Sequence, residues 1–244
     1  DTTKEQSGVT VHRELRAVLQ DIQRHRGAST SQLSGKAEFK ERADKARAGV
    51  DAAIAKSDTV IAEHQNQLGQ LEAWGEFKSN WLKLKVDFVS LKPTDNARQH
   101  TALISILLAA MERAADASGL VLDPELESFY LMDLAVMHLP ATTEKMGQGR
   151  APGSLILSEK TLDGARRDTM VGGVVEVALR QKSILGDGEK IALANKETSE
   201  RLKTLFEAAK GGIATYRSNV EQNILRVETL VYEPARFFDE ATQA

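Results

Sequence analysis

The apolar positions of this chain recur at helical spacing along almost its whole length. Val11, Leu15, Val18, Leu19 and Ile22 form one face of a first helix. Gly27 and the Ser/Thr/Gly-rich stretch 29–35 are expected to weaken it. A second helix, over about 37–68, has a thin face of Ala43, Val50, Ile54, Ile61 and Leu68, the pattern of a peripheral and strongly solvated helix. Trp74, Phe77, Trp81, Leu84, Phe88 and Leu91 then alternate steps of three and four, the seam of an antiparallel bundle or coiled coil. An aromatic stripe at this spacing reads as bundle core before it reads as a ligand box. Pro93 ends that helix, because its ring disfavours helical geometry at Lys92.

A fourth helix, 94–118, presents Leu103, Ile104, Leu107 and Met111, and Gly119 closes it. Asp123-Pro124-Glu125 is a helix-start signal, with Asp as N-cap and Pro at the first helical position. The fifth helix should carry Leu126, Tyr130, Leu134 and Met137 inward. Pro140 should kink it, and the glycines of 147–153 should break it. A sixth helix, 159–185, is expected to stop at a Gly186-Asp187-Gly188 turn. A seventh keeps its period from Ile191 to Val227, a length on the order of 55–60 Å. Glu233-Pro234 starts a last helix, 235–243, with Phe237 and Phe238. No stretch alternates with period two. The predicted class is therefore all-α: an elongated antiparallel helical bundle of two four-helix modules, 1–119 and 120–244, with long helices able to be shared between them.

Composition narrows the field. A 244-residue chain with 41% hydrophobic residues can bury a substantial core. A net charge of −3 with interspersed signs offers no basic field to nucleic acid. The absence of cysteine excludes disulfides and thiolate metal sites. No apolar run approaches the roughly 18–20 residues of a membrane span, and no signal-peptide pattern is present. The chain opens at Asp1 on polar residues and reads as an excised soluble domain, which would leave any membrane anchors in flanking sequence.

No catalytic set is visible. There is no G-x-S-x-G elbow, and His12, His25, His64, His100 and His138 show neither an i, i+4 pair nor an H-E-x-x-H motif. Gly147-Gln148-Gly149-Arg150 lacks the strand and the Lys-Ser/Thr ending of a phosphate loop. Asp187-Gly188-Glu189 is too short for a calcium loop. No catalytic residue, metal site or cofactor is predicted.

The first helix does carry one anomaly. The stripe Leu15, Leu19, Ile22 leads at its next step to Arg26. A fixed guanidinium in line with a buried face needs an anionic or hydrogen-bonding partner. Two readings stand: an ion pair with a neighbouring carboxylate, for which Asp133 is the candidate, or a ligand. The planar fork of arginine suits carboxylate or nitrate. Arg24 faces elsewhere on an ideal helix unless the helix end distorts at Gly27. Arg26-Gly27-Ala28-Ser29 has an echo in Arg150-Ala151-Pro152-Gly153-Ser154, a hint of two related halves. Arg113, Arg166, Arg167 and Arg180 read as solvated face residues, and Tyr130 as a core anchor that could offer a hydroxyl.

Three stretches carry a family resemblance. Leu19 to Ser29, with its Leu-Gln and Arg-Gly-x-Ser, resembles the first-helix signature of the nitrate- and nitrite-sensing domain. Asp123-Pro124-Glu125-Leu126-Glu127-Ser128-Phe129-Tyr130-Leu131-Met132-Asp133, with Leu139-Pro140 and the break at 147–153, is similar to a run found in helical extracytoplasmic regions of bacterial chemoreceptors and sensor kinases. The closing segment 233–242 is similar to the one that leads toward the second membrane span there. The resemblance implies a non-catalytic, periplasmic sensor domain of an inner-membrane receptor. It further implies membrane anchoring in the full-length protein, a homodimer, and a small anionic ligand held by arginines. The candidate ligand residues on this chain are Arg24, Arg26, Ser29, Tyr130 and Arg150. That family has adjacent arginines where this chain has Arg24-His25-Arg26, so a nitrate-like anion and a small carboxylate both stay open. The alternative is a helical protein-interaction scaffold without a small ligand.

Overall fold

The computed structural model describes residues 2–120 and 125–244, and all regular structure in these residues is helical. The chain divides into two compact units, 1–123 and 124–244.

Unit one contains α1 (Thr2–Leu33), a 3₁₀ turn (Ala37–Phe39), α2 (Lys40–Glu63), the short α3 (Gln65–Leu68), α4 (Glu72–Asp87) and α5 (Pro93–Ser118). Helix α1 lies against α2 and α5, and α4 lies against α5. The faces expected from the sequence close the core: Leu15, Val18 and Ile22 meet Trp74, Phe77 and Trp81, with Ile104, Leu107 and Met111 completing it. Burial of each such side chain stabilises the fold by about 1.5–3 kcal/mol. Helix α4 is also tied to α2 by polar bonds. The indole N–H groups of Trp74 and Trp81 donate to Asp58 and Asp51, each at 2.8 Å. Lys78 and Lys85 join the same two carboxylates at 2.6 and 3.0 Å. A step forward along α4 is a step back along α2, so these bonds set an antiparallel register.

Several boundaries differ from expectation, and the second helix expected over 37–68 is a 3₁₀ turn followed by α2 and the separate α3. Helix α1 does not weaken at Gly27 but runs on to Leu33. Residues 25–31 are all buried, and that packing outweighs the cost of about 1 kcal/mol for a helical glycine. Helix α4 ends at Asp87, and Pro93 serves as the first residue of α5, where its missing N–H leaves nothing unsatisfied. Gly119 closes α5 with φ of +76°, as its position suggested.

Unit two contains α6 (Leu126–Met132), a π-helical segment (Asp133–His138), α7 (Leu139–Glu159), α8 (Gly164–Ala194), α9 (Lys196–Val220), a second π-helical segment (Glu221–Leu225) and α10 (Pro234–Gln243). Asp123-Pro124, read as a start signal, lies outside the described residues. Helix α6 starts at Leu126 with Glu125 in the N-cap position. The expected path change at Pro140 takes the form of the π segment just before it. Proline cannot donate to the carbonyl four residues back and its ring crowds it, and the wider turn relieves both problems. Leu134 is buried, while Met137 within the π segment and Leu126 at the start of α6 are exposed. The inward face expected for this helix is thus wrong at two of its four positions.

Two expected breaks are helical, and one helix expected to be continuous is divided. Residues 147–153 belong to α7, and Gly186-Asp187-Gly188 belongs to α8. The single long helix expected over 191–227 is divided at Asn195, whose side chain accepts from the N–H groups of Glu197 and Thr198. The glycines have a packing role instead. A Cβ on Gly149 would collide with the Tyr216 hydroxyl, and one on Gly153 with the Phe237 ring. One on Gly188 would sit 3.0 Å from Phe206. Aromatic rings pressed against bare backbone return more than the helix propensity lost.

That role is testable by urea denaturation. Gly153→Ala should lower stability by about 1–3 kcal/mol through overpacking. Gly172→Ala, at a helical position with open space around it, should raise stability by up to about 1 kcal/mol. Equal effects at the two positions would refute the packing role.

Candidate functional site

Helix α1 brings Arg26 to 3% exposure, level with the N-terminal half of α5. Its Nη1 donates to Thr101 Oγ1 at 3.0 Å. One residue earlier, His25 Nδ1 and His100 Nε2 lie 2.7 Å apart. One turn later, Asn96 Nδ2 donates to Ser29 Oγ and Thr30 Oγ1, both at 2.9 Å. Ser29 Oγ in turn donates to the Arg26 carbonyl at 3.3 Å. The result is a buried polar ladder between two antiparallel helices. Each rung pairs a residue of 25–30 with one of 96–101.

The network decides the tautomers. His100 Nδ1 is 2.8 Å from the Asn96 carbonyl, so it carries the proton and donates. His100 Nε2 is then the acceptor, and His25 Nδ1–H donates to it. His25 Nε2 is left as a buried acceptor without a hydrogen-bond partner. The His25 ring stands edge-on to Trp81 and Phe88, with centroids 5.2 and 5.1 Å away. Burial, and next the His100 ring, push the His25 pKa down to about 3. Burial also lowers His100 to about 4, with the Arg26 charge adding to the effect. Both rings are neutral at pH 7, so Arg26 supplies the fixed positive charge of this ladder.

Unit two repeats the arrangement. Arg150, on α7, is 5% exposed, and its Nη1 donates to Thr242 Oγ1 of α10 at 3.0 Å. Its guanidinium also lies over the Phe238 ring, 5.6 Å from the centroid. Ser154 Oγ donates to the Pro234 carbonyl at 3.1 Å. The register agrees in the two units. Thr101 follows Pro93, the first residue of α5, by eight positions, and Thr242 follows Pro234, the first residue of α10, by eight. Three positions after each arginine, Ser29 meets Asn96 and Gly153 meets Phe237, which themselves lie three after the prolines. The echo between 26–29 and 150–154 therefore marks equivalent places, with Gly153 rather than Ser154 matching Ser29.

The other candidates sit differently. Arg24 is exposed and pairs with Asp21 at 3.1 Å. Tyr130 is half-buried, packs edge-on to Phe129, and has Lys190 Nζ 4.4 Å from its ring centroid. Asp133, suggested as an internal partner for Arg26, is engaged by His138 at 3.2 Å within unit two. Arg180 pairs with Glu176, and Arg166 with Glu159. His25, Asn96, His100, Thr101 and Thr242 were not singled out from the sequence. The available signal was the offset of four from Asn96 to His100, in line with the apolar Leu103, Ile104 and Leu107 of the same helix.

Comparison with known proteins identifies a family. The model of the nitrate and nitrite sensing family covers residues 17–244. No curated protein and no solved structure matches the chain.

The buried rings make stability depend on pH. His12 is likewise held near 4, by burial and by Arg16. Between pH 6.5 and 4 these histidines take up protons in the unfolded chain and refuse them in the folded one. Stability therefore falls as pH falls, by up to about 1.4 kcal/mol per pH unit for each ring. Denaturation midpoints at pH 7, 6 and 5 should decline, and the double variant His25→Phe/His100→Leu should decline less steeply. A flat profile for the unmodified chain would refute this.

Proposed function

We propose that this chain, which belongs to the nitrate and nitrite sensing family, is the extracytoplasmic ligand-sensing domain of a bacterial transmembrane receptor, with a small planar anion as ligand and no catalytic activity. One observation carries the reading. Each unit buries one arginine at the same place in the same two-helix arrangement, Arg26 beside Thr101 and Arg150 beside Thr242. A bundle that only had to fold would place leucine there. A guanidinium fork offers two parallel donors to nitrate, nitrite or a carboxylate, and the Thr101 hydroxyl beside Arg26 can donate a third hydrogen bond, whereas the Thr242 hydroxyl already donates to the Phe238 carbonyl at 2.7 Å. Ser29 lines the Arg26 ladder, and Arg24 and Tyr130 are the more exposed members of the candidate set.

In this reading the anion favours one helix packing over another, and helix shifts of about 1–2 Å are the output. No helix among the described residues is long and apolar enough to cross a membrane, so the proposal places the anchors in flanking segments. Two exposed apolar stripes at helical spacing, Leu82, Val86 and Val89 in unit one and Val171, Val175 and Leu179 in unit two, favour a homodimer. The same stripes are what a protein-binding scaffold would show, which is the second reading.

Thermal melting against sodium nitrate, nitrite, acetate and chloride separates the two. At about 100 times Kd an anion should stabilise by about 2.7 kcal/mol, a shift of several degrees. Arg26→Lys should weaken anion affinity in unit one about tenfold by removing the fork, Arg26→Ala or Arg150→Ala should each reduce the response, and the double variant should abolish it. No response to any anion, together with wild-type stability in Arg26→Ala, would support the scaffold and sink the sensor reading. Light scattering should give a dimer mass that Leu179→Glu or Val86→Glu reduces to the monomer. A monomer at all concentrations would reject the dimer.

A further inference from the structure

A second kind of polar cluster lies in unit two and uses neither arginine. His138 Nε2 stands 3.2 Å from Asp133 Oδ2 and 3.4 Å from Asp187 Oδ2, and the three potential ligand atoms all lie within 4.8 Å of one another. The backbone brings them together in a specific way. Asp133 and His138 are five residues apart, an offset that on an α-helix would point them about 140° from each other. The π segment, with its hydrogen bonds five residues apart, turns both toward α8. Asp187 meets them from the middle of α8, in line with Ile184 and Ile191 of the core.

Asp187 is the informative member. It is 4% exposed, and its Oδ1 has Lys190 Nζ at 3.5 Å. Its Oδ2 is fully buried and accepts no hydrogen bond. A buried carboxylate oxygen without a donor is costly. His138 Nε2 at 3.4 Å and Lys190 on the other oxygen offset that cost only in part, because burial and a second carboxylate, Asp133, oppose them.

We propose that Asp133, His138 and Asp187 form a binding site for a divalent transition-metal ion of the zinc type. Tetrahedral zinc with ligands at about 2.0–2.1 Å has ligand-to-ligand edges of about 3.3 Å, the separation of His138 from each carboxylate. One imidazole nitrogen and two carboxylate oxygens suit zinc and leave a fourth position for water. Calcium and magnesium demand more oxygen ligands than this site offers. The two carboxylates balance the charge of the ion, and Lys190 keeps its place on Asp187 Oδ1. Asp133 and His138 are half-buried, so an ion reaches the buried Asp187 oxygen from their side. Once bound, it clamps the π segment to α8. The rival arrangement is a protonated His138 shared between the two carboxylates, with no ion.

Calorimetric titration of the tag-free, EDTA-treated chain with zinc chloride tests the site. The expected result is saturable binding of one zinc per chain, with an accompanying rise in melting temperature. Asp187→Asn and His138→Gln should each weaken binding by at least about 100-fold and remove the thermal response. His138→Gln serves as the second variant because His138, unlike Asp187, is not a core residue. His64→Gln should bind zinc like the unmodified chain. The proposal is overturned by no saturable binding at about 100 µM zinc, or by a folded His138→Gln chain that binds zinc unchanged. Either result would assign the cluster to a histidine-bridged carboxylate pair.

Discussion

A guanidinium taken out of water must meet its hydrogen-bond partners inside the protein, and that requirement organises unit one. Arg26 follows, on α1, the buried apolar stripe of Val11, Leu15, Val18, Leu19 and Ile22. Over the last third of α1 polar residues are concentrated in the buried face: Gln23, His25, Arg26, Ser29, Thr30 and Ser31 are all buried. Helix α5 answers with Asn96, His100 and Thr101 at matching heights. A slip of one residue between the two helices would strand several of these groups at once. The ladder therefore fixes register where an apolar seam would tolerate sliding. The neutral His25–His100 pair belongs to the same requirement, since two charged rings so close to Arg26 could not be buried.

Unit two meets the same demand with aromatic rings close by. Arg150 has the Thr242 hydroxyl and the Phe238 face, and bare backbone at Gly149 and Gly153 lets Tyr216 and Phe237 close around the helix. The shared register of arginine, proline and threonine makes the two units variations on one arrangement. Their difference is chemical. One surrounds its arginine with hydrogen-bonding side chains and imidazoles, the other with aromatic rings. This combination suits a domain whose ligand is a small anion, because burial strengthens the field of each guanidinium while the hydroxyl beside it adds direction.

Much of the fold was legible in the chain. The seam from Trp74 to Phe88, the αL closure at Gly119 and the start of α10 at Glu233-Pro234 follow from short-range rules and stand as read. Glycine misled where it stood beside an aromatic ring from another helix. Residues 147–153 and 186–188 carry the composition of breaks, yet they are helical because a distant ring needs the space. The divide at Asn195 was missed for a related reason: apolar residues continue at helical period across it, and only the capping side chain marks the stop.

The candidate site divides in the same way. Arg26 and Arg150 could be found from sequence, because a charge in line with an apolar stripe is visible at a spacing of four, and so is the echo between the two halves. Their partners could not. Thr101, His100 and Thr242 lie 75 to 92 residues away along the chain, and no local pattern distinguishes them from other polar positions on amphipathic helices. Likewise His138 is five residues from Asp133, a separation without meaning on an α-helix, and the π turn before Pro140 makes them neighbours. Helix period, caps and buried charge are properties of neighbouring residues, and the sequence by itself determined them. Which groups satisfy a buried charge is a property of contact between helices, and the tertiary structure alone decided it.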